Sequence, residues 1–271
     1  MPTVFGPWTG EFGWELARWN PACRYVASKT PGKKYAIGPI GHNIIYEFVD
    51  QYIEFDPSFD YIPCMNRCSP KTPHDTEMLQ EYNKMAAKLG NVISSALVGA
   101  GKQFTPLQKK YIGTETDYIK SIINDRQLIC IFPRQRKHDQ RRNWPIENWI
   151  KVVQYYCTKG YHVMAFGGPE DSKLPISHPF FTDLIEYRKS NELNIAITAL
   201  NHSAMSIAIQ SGGIYLGLYA GNISIAFGVA EHTNRLKSED YLKSRYKYVV
   251  VKDYTFNPQF LISIVDKHLR K

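Results

Sequence analysis

The sequence predicts an α/β protein made of two parallel-sheet units, and three observations carry that expectation. Short apolar runs alternate with helix-like segments along most of the chain. At 271 residues it exceeds one average domain and falls short of two large ones. A hydrophobic content of 44% supplies a core and excludes a disordered or fibrous chain. Strands alternating with helices of this length favour parallel sheets covered on both faces. Two such units, dividing near residues 113–127, are expected to face each other across a cleft.

In order along the chain, the first half offers strands at 3–6, 34–38 and 52–55, separated by helix-like segments at 14–29 and 42–51. Residues 76–99 read as one longer helix or a broken pair, with Met78, Tyr82, Met85, Leu89 and Ile93 spaced three and four apart. That stripe reads as core. "LICIF" (128–132) is a buried strand, and Pro145 opens a helix closed by Lys159 and Gly160. "YHVMAFGG" then reads as a strand, "HSAMSIAIQSGG" as a helix with a glycine stop, and "IYLGLY" as a strand. "GNISIAFGVA" reads as a helix begun through Gly221 and Asn222. A strand at 246–251 and an amphipathic helix from Pro258 complete the chain. The expected domains are 1–120, 121–252 and a C-terminal segment, 253–271, packing back on the first domain.

Lysine and arginine total 33 against 25 acids, a formal charge of +8, and the isoelectric point is near 9.1. That balance suits a polyanionic partner such as nucleic acid or a phosphorylated donor, or else a lysine-rich solvated surface. No run of 18 apolar residues and no signal-peptide pattern is visible, so a soluble, cytoplasmic protein without membrane insertion is expected. Five cysteines, at 23, 64, 68, 130 and 157, fit reduced thiols better than a disulfide framework. Cys64, Cys68 and His74 match no strong zinc spacing.

Ligands of parallel α/β units sit at the carboxyl ends of strands, and four turns there are unusual. They are 6–15, 133–144, 167–171 and 219–224. The second carries Arg134, Arg136, Lys137, Arg141 and Arg142 beside a helix start, where forked guanidinium groups and backbone N–H groups bind phosphate. The third sets Gly167 and Gly168 before Glu170, a carboxylate suited to vicinal sugar hydroxyls. The fourth places Tyr219, Gly221, Asn222 and Ser224 at a helix start whose free N–H groups would hold a pyrophosphate. Neither a G-x-G-x-x-G fingerprint nor a Walker loop is present.

Taken together, "FPRQRK", "RRNWPIENWIKVV", "KGYHVMAFGGPED" and "SGGIYLGLYAGNISIAFGVA" resemble the donor-binding half of GT-B glycosyltransferases of the heptosyltransferase type. That resemblance implies two Rossmann-like domains and a nucleotide-diphosphate sugar as donor. It sets Arg142 where the family has a donor-phosphate lysine and Glu170 near its ribose-binding acid. It also sets Tyr219, Ala220 and Ser224 in place of the family's Asp, Ser or Thr, and His, with Gly221 kept. In this family the first strand-to-helix loop carries the acidic general base, which gives "VFGPWTGEFGWELARW" (4–19) a function.

An inverting transfer needs a carboxylate to take the acceptor's proton while positive groups stabilise the departing diphosphate. Glu11 is the expected base and Glu15 its alternative, with Arg142 as the third catalytic residue. Gly10 and Gly13 would shape the loop, and Trp8, Trp14 and Arg18 would contact the acceptor. A hydrophobic staple with solvated glutamates is the plainer reading of the same loop. Arg18, Arg24, Lys29, Lys33 and Lys34 add positive charge with aromatic residues between them, which fits DNA as acceptor. In outline this resembles phage enzymes that glycosylate hydroxymethylated bases, where the base is flipped from the duplex. A glycan or lipid-linked sugar acceptor is the alternative. A non-catalytic nucleotide- or nucleic-acid-binding module is another, as is a sugar-nucleotide epimerase. No cofactor is required, and a divalent metal is compatible but not indicated, since no D-x-D triplet occurs.

Overall fold

A computed structural model describes residues 1–55, 73–94, 110–135, 140–167, 173–184, 192–209, 211–221, 223–227, 248–251 and 257–269. The chain divides into two compact units, Met1–Lys109 and Lys110–Lys271. The first holds a parallel four-stranded sheet of order β3-β2-β1-β4. Its strands are β1 (Thr3–Phe5), β2 (Lys34–Pro39), β3 (Gln51–Phe55) and β4 (Asn91–Ile93). After β1 come a short helix α1 (Phe12–Trp14), one π-helical turn (Glu15–Trp19) and helix α2 (Asn20–Lys29). Of the helix expected at 42–51, only a 3-10 turn at His42–Ile45 forms.

The segment expected as one helix over 76–99 is α3 (Pro73–Leu89) followed by β4. Gly90 follows the helix end, at a point where a side chain would collide with the Pro2 carbonyl. Of the apolar stripe, Met78, Tyr82 and Leu89 pack against Val4, Ile37 and Phe55, while Met85 turns outward and Ala86 fills its place.

The second unit has a parallel six-stranded sheet of order β10-β9-β8-β5-β6-β7. Its first strands are β5 (Leu128–Phe132), β6 (His162–Ala165) and β7 (Phe181–Asp183), with helices α4 (Thr116–Ile123) and α5 (Ile146–Thr158). Then follow α6 (Glu192–His202), β8 (Ser203–Ile209), α7 (Gly212–Tyr219), β9 (Ile223–Phe227), β10 (Tyr248–Val251) and α8 (Pro258–Leu269).

The sequence expectation for this part is therefore out of phase by one element. "SAMSIAI" is a strand, "IYLGLY" lies in a helix, and "ISIAF" is a strand rather than a helix. The physical reason is burial: β8 lies in the sheet interior, so its apolar run carries no alternation to separate it from a buried helix. Helix α7 has its own signal, since the Ser211 hydroxyl caps it by accepting from the Gly213 N–H at 3.3 Å.

The unit boundary falls earlier than residue 120 because 111–115 is stitched to α6 and α7. The Gly113, Thr114 and Glu115 N–H groups donate to Asn201, Asn194 and Thr198 side chains, and the Tyr111 N–H donates to the Tyr219 carbonyl. Helix α8 packs on α5 within the second unit. Tyr155 and Lys159 donate to Asp266 Oδ2 at 2.8 and 3.0 Å, and Tyr156 donates to Asp266 Oδ1 at 3.2 Å. Leu261 and Val265 lie fully buried in that core beside Trp149 and Val153.

His162 begins β6, 3% exposed, with Nε2 2.9 Å from the Thr182 hydroxyl. Burial, helped by the Arg126 charge, lowers its pKa from 6.5 to about 4. Between those two values the unfolded chain holds a proton that the folded chain does not. The contribution of this residue is thus complete above pH 6.5 and lost as pH falls toward 4. Urea unfolding followed across that window should show declining stability, with a shallower slope in His162→Gln.

Candidate functional site

In each sheet one step of the chain reverses direction, and the crevice outside the strands' carboxyl ends at that step is where parallel α/β units bind ligands. In the first unit, β2 and β3 are added on one side of β1 and β4 on the other. The loop leaving β1 spans that point. Its Gly6 N–H donates to Ile93 of β4 at 3.1 Å, and its Trp8 N–H donates to Ile37 of β2 at 3.0 Å.

Trp8 is fully buried and stacked on Trp19, centroids 5.2 Å apart. It therefore props the loop from beneath and presents no face to an acceptor, contrary to expectation. Gly10 lies against that indole so closely that a side chain would enter the ring. Glu11 stands at the N-cap of α1 with a half-buried side chain, its carbonyl accepting the Trp14 and Glu15 N–H groups at 3.0 Å. Gly13, Trp14 and Arg18 are half-buried on the following turns.

Glu15 is fully buried in the π-helical turn. Its Oε2 lies 2.8 Å from His42 Nδ1, and its Oε1 accepts the Tyr46 hydroxyl at 2.8 Å. With both oxygens engaged and no exposure, Glu15 cannot itself reach an acceptor hydroxyl. Burial, then the Glu15 charge, pushes the Tyr46 phenol well above its usual range, so it remains a donor. The same two causes, in the same order, raise the Cys23 thiol.

The 3-10 turn carrying His42 is tied to α2. Asn20 Nδ2 donates to the Ile45 carbonyl at 2.7 Å, and Arg24 forks onto Glu47, with Nη2 2.9 Å from Oε2. Arg24 is 5% exposed and lies over Phe48, so it is not available to DNA phosphates as expected. Lys34 donates its ammonium to the Gly32 carbonyl at 2.9 Å.

In the second unit, β6 and β7 lie on one side of β5 and β8 on the other. The switch point is bounded by Arg134, after β5, and by the capped start of α7, after β8. Arg134 is 2% exposed and donates to Asn143 Oδ1 at 2.6 Å, bracing the connection to α5. Trp144 anchors that connection: it is fully buried, edge-on to Trp149 and Phe227 at 5.2 and 5.4 Å. Arg141 is exposed and Arg142 half-buried in the 3-10 turn Gln140–Arg142, where they can meet an anion. Gly167 follows β6 by two residues. Arg136, Gly168, Glu170 and Asn222 lie outside the described residues, as do Cys64 and Cys68.

The turn at 219–224 does not begin a helix. Gly221 follows the end of α7 with φ +79°, its N–H bonded to the Leu218 carbonyl at 3.0 Å, the usual place of a C-terminal glycine. Tyr219 is buried with its ring edge-on to Tyr111, and Ser224 is buried with its hydroxyl 2.8 Å from that of Ser206. Neither presents its side chain to a donor. The helix start at this edge lies nine residues earlier, at Ser211-Gly212-Gly213, which the misplaced alternation concealed. His42 was also missed, although "IGHN" after β2 holds a glycine and a histidine at a strand's carboxyl end.

Two parallel-sheet units of this order make the chain a GT-B glycosyltransferase in fold. It superposes on E. coli ADP-heptose lipopolysaccharide heptosyltransferase II with TM-score 0.63 at 12% identity, covering 99% of this chain and 98% of that one. A glycosyl transferase family 9 protein from Veillonella parvula gives 0.69 at 12% identity, covering 99% and 97%. The E. coli heptosyltransferase WaaC with ADP gives 0.58 at 11% identity, covering 99% and 100%. No curated protein sequence matches the chain.

The class is thus that of glycosyl-transferring enzymes. Within it the resemblance is to one family: residues 65–182 match Glycosyltransferase family 9 (heptosyltransferase). Among the described residues no helix is long and apolar enough to cross a membrane, and no cluster of metal-ligating side chains occurs.

Proposed function

We propose that the protein is an inverting, heptosyltransferase-like transferase that moves a sugar from a nucleoside diphosphate to a hydroxyl of a glycan or lipid-linked sugar. The observation that carries this reading is the family match over 65–182 in a chain that superposes on heptosyltransferases over nearly its whole length. The donor's diphosphate is received by the start of α7, where the Gly212 N–H follows the Ser211 cap, and by Arg141 and Arg142. Arg134 holds the basic turn through Asn143, and the segment 167–170 supplies Gly167, Gly168 and the ribose-binding Glu170. On the acceptor side the loop 6–15 supplies Glu11 as a partner for acceptor hydroxyls, with Trp14 and Arg18 beside it. Complexes of the E. coli enzyme WaaC with ADP and with an ADP-fluoroheptose favour an adenosine diphosphate donor.

The net charge of +8 keeps hydroxymethylated DNA as a second acceptor to test. The protein is incubated with a panel of nucleotide sugars, alone, with lipid-linked glycan, and with hydroxymethylcytosine DNA, while nucleoside diphosphate release is followed. Glycan-dependent release is expected. Release dependent on DNA alone would reverse the acceptor assignment, and no release with any donor would sink the transferase reading. Arg142→Ala is expected to weaken donor binding about tenfold or more, as loss of one charge-assisted phosphate contact does. Calorimetric titration with the donor nucleotide measures it.

A further inference from the structure

The carboxyl edge of the first sheet holds a buried carboxylate–imidazole pair that the reading above leaves without a role. Glu15 is 1% exposed at its side chain, against 19% for His42, and their contact is 2.8 Å. A carboxylate accepts hydrogen bonds, and a ring donating to it from Nδ1 leaves Nε2 its lone pair. Among the described residues nothing hydrogen-bonds Nε2. Phe12 packs against the ring edge-on at 5.3 Å, Tyr46 fixes the other Glu15 oxygen, and the backbone just before the ring is tied down where the Gly41 N–H donates to Glu54 Oε1 at 3.1 Å. A partly exposed imidazole oriented by a buried carboxylate is the arrangement of a general base. Its position after β2, next to the loop that leaves β1, is on the same edge as Glu11.

We infer that His42, oriented by Glu15, removes the proton from the acceptor hydroxyl, and that Glu11 hydrogen-bonds the acceptor. This rests on the transferase reading. The acceptor O–H proton passes to His42 Nε2 as that oxygen bonds to the donor's anomeric carbon. The bond from that carbon to the phosphate oxygen breaks, and its electron pair leaves with the nucleoside diphosphate. The imidazolium so formed is stabilised by the Glu15 carboxylate. Glu15 is a positioning residue and His42 a catalytic one.

The test uses the full chain with the donor and acceptor that turn over in the panel above. His42→Ala and His42→Gln should each lower kcat by about 10²–10⁴, the usual worth of a general base, with donor affinity unchanged. Added imidazole should restore part of the rate in His42→Ala. Glu15→Gln should lower kcat with little change in KM, and should cost nothing further in the His42→Ala background. Independently of turnover, nitrogen-15 spectra of the ring should show the Nδ1–H tautomer. An Nε2–H tautomer overturns the inference, as does near-normal turnover in both His42 variants. Loss of transfer in Glu11→Gln with His42→Ala still active would return the proton to Glu11. A wild-type chain silent with every donor would sink the transferase reading and this inference with it.

Discussion

Trp144→Ala is expected to cost the second domain about 3–5 kcal/mol, the range for deleting a large buried aromatic side chain. The indole has no exposure and meets Trp149 and Phe227 edge-on at 5.2 and 5.4 Å, so its removal leaves a void that two other large rings cannot fill without leaving their own positions. A domain's whole margin is only about 5–15 kcal/mol, and the urea midpoint should therefore fall by about a fifth or more. The loss extends to function because Trp144 anchors the connection that displays Arg141 and Arg142 and is braced by Arg134 through Asn143. Donor affinity, measured by calorimetry under folding conditions, should fall as well. Trp144→Phe, keeping an aromatic ring in the site, should lose much less. A midpoint shift equivalent to under about 1 kcal/mol in Trp144→Ala would contradict the packing argument.

Gly213→Ala adds one methyl group and is expected to displace the start of α7. A β-carbon there would lie 2.5, 2.6 and 2.9 Å from Cγ, Cδ1 and Cβ of Phe132. Since Phe132 Cβ is among those atoms, turning the ring does not clear the space, and the helix must lift from β5. Overpacking of this kind costs about 1–3 kcal/mol. The displacement also moves the Gly212 and Gly213 N–H groups and the Ser211 cap, so donor affinity should fall more than stability alone accounts for. Titration with donor nucleotide and urea unfolding on the same sample separate the two effects. Unchanged donor affinity would remove the start of α7 from the donor site.

The two-unit α/β architecture was legible because its signal is repeated: "TVF", "KYAIGP", "QYIEF" and "LICIF" are short apolar runs set among segments of another period. Trp144 and Pro145 likewise marked the start of α5. What failed was the assignment of three adjacent apolar segments between 203 and 227, each buried on every side. Without a polar face a segment carries no period, and only the Ser211 cap and Gly221 at the helix end tell the phase. Glycines in α7 misled further, since Gly213 and Gly217 serve close packing on Phe132, Ser206 and Ser224 rather than stopping a helix. In the first unit Glu15 was visible as a candidate, but its partners were not. His42 and Tyr46 lie 27 and 31 residues away in sequence, and only the pairing of β2 with β1 brings their turn to the same edge.

The clasp between α5 and α8 bears on the order in which the chain can acquire structure as it is made. Trp149, Val153 and Tyr156 need Leu261, Ile262 and Val265 to complete their surroundings, and Tyr156 donates to the Ile262 carbonyl across 106 residues. During vectorial synthesis the first unit has its sheet residues once β4 is translated, while the second stays an open half-core until α8 leaves the ribosome. In that interval its apolar helix face is exposed to chaperones, and a ribosome stalled before residue 261 would hold a nascent chain with one finished unit and one still unsealed.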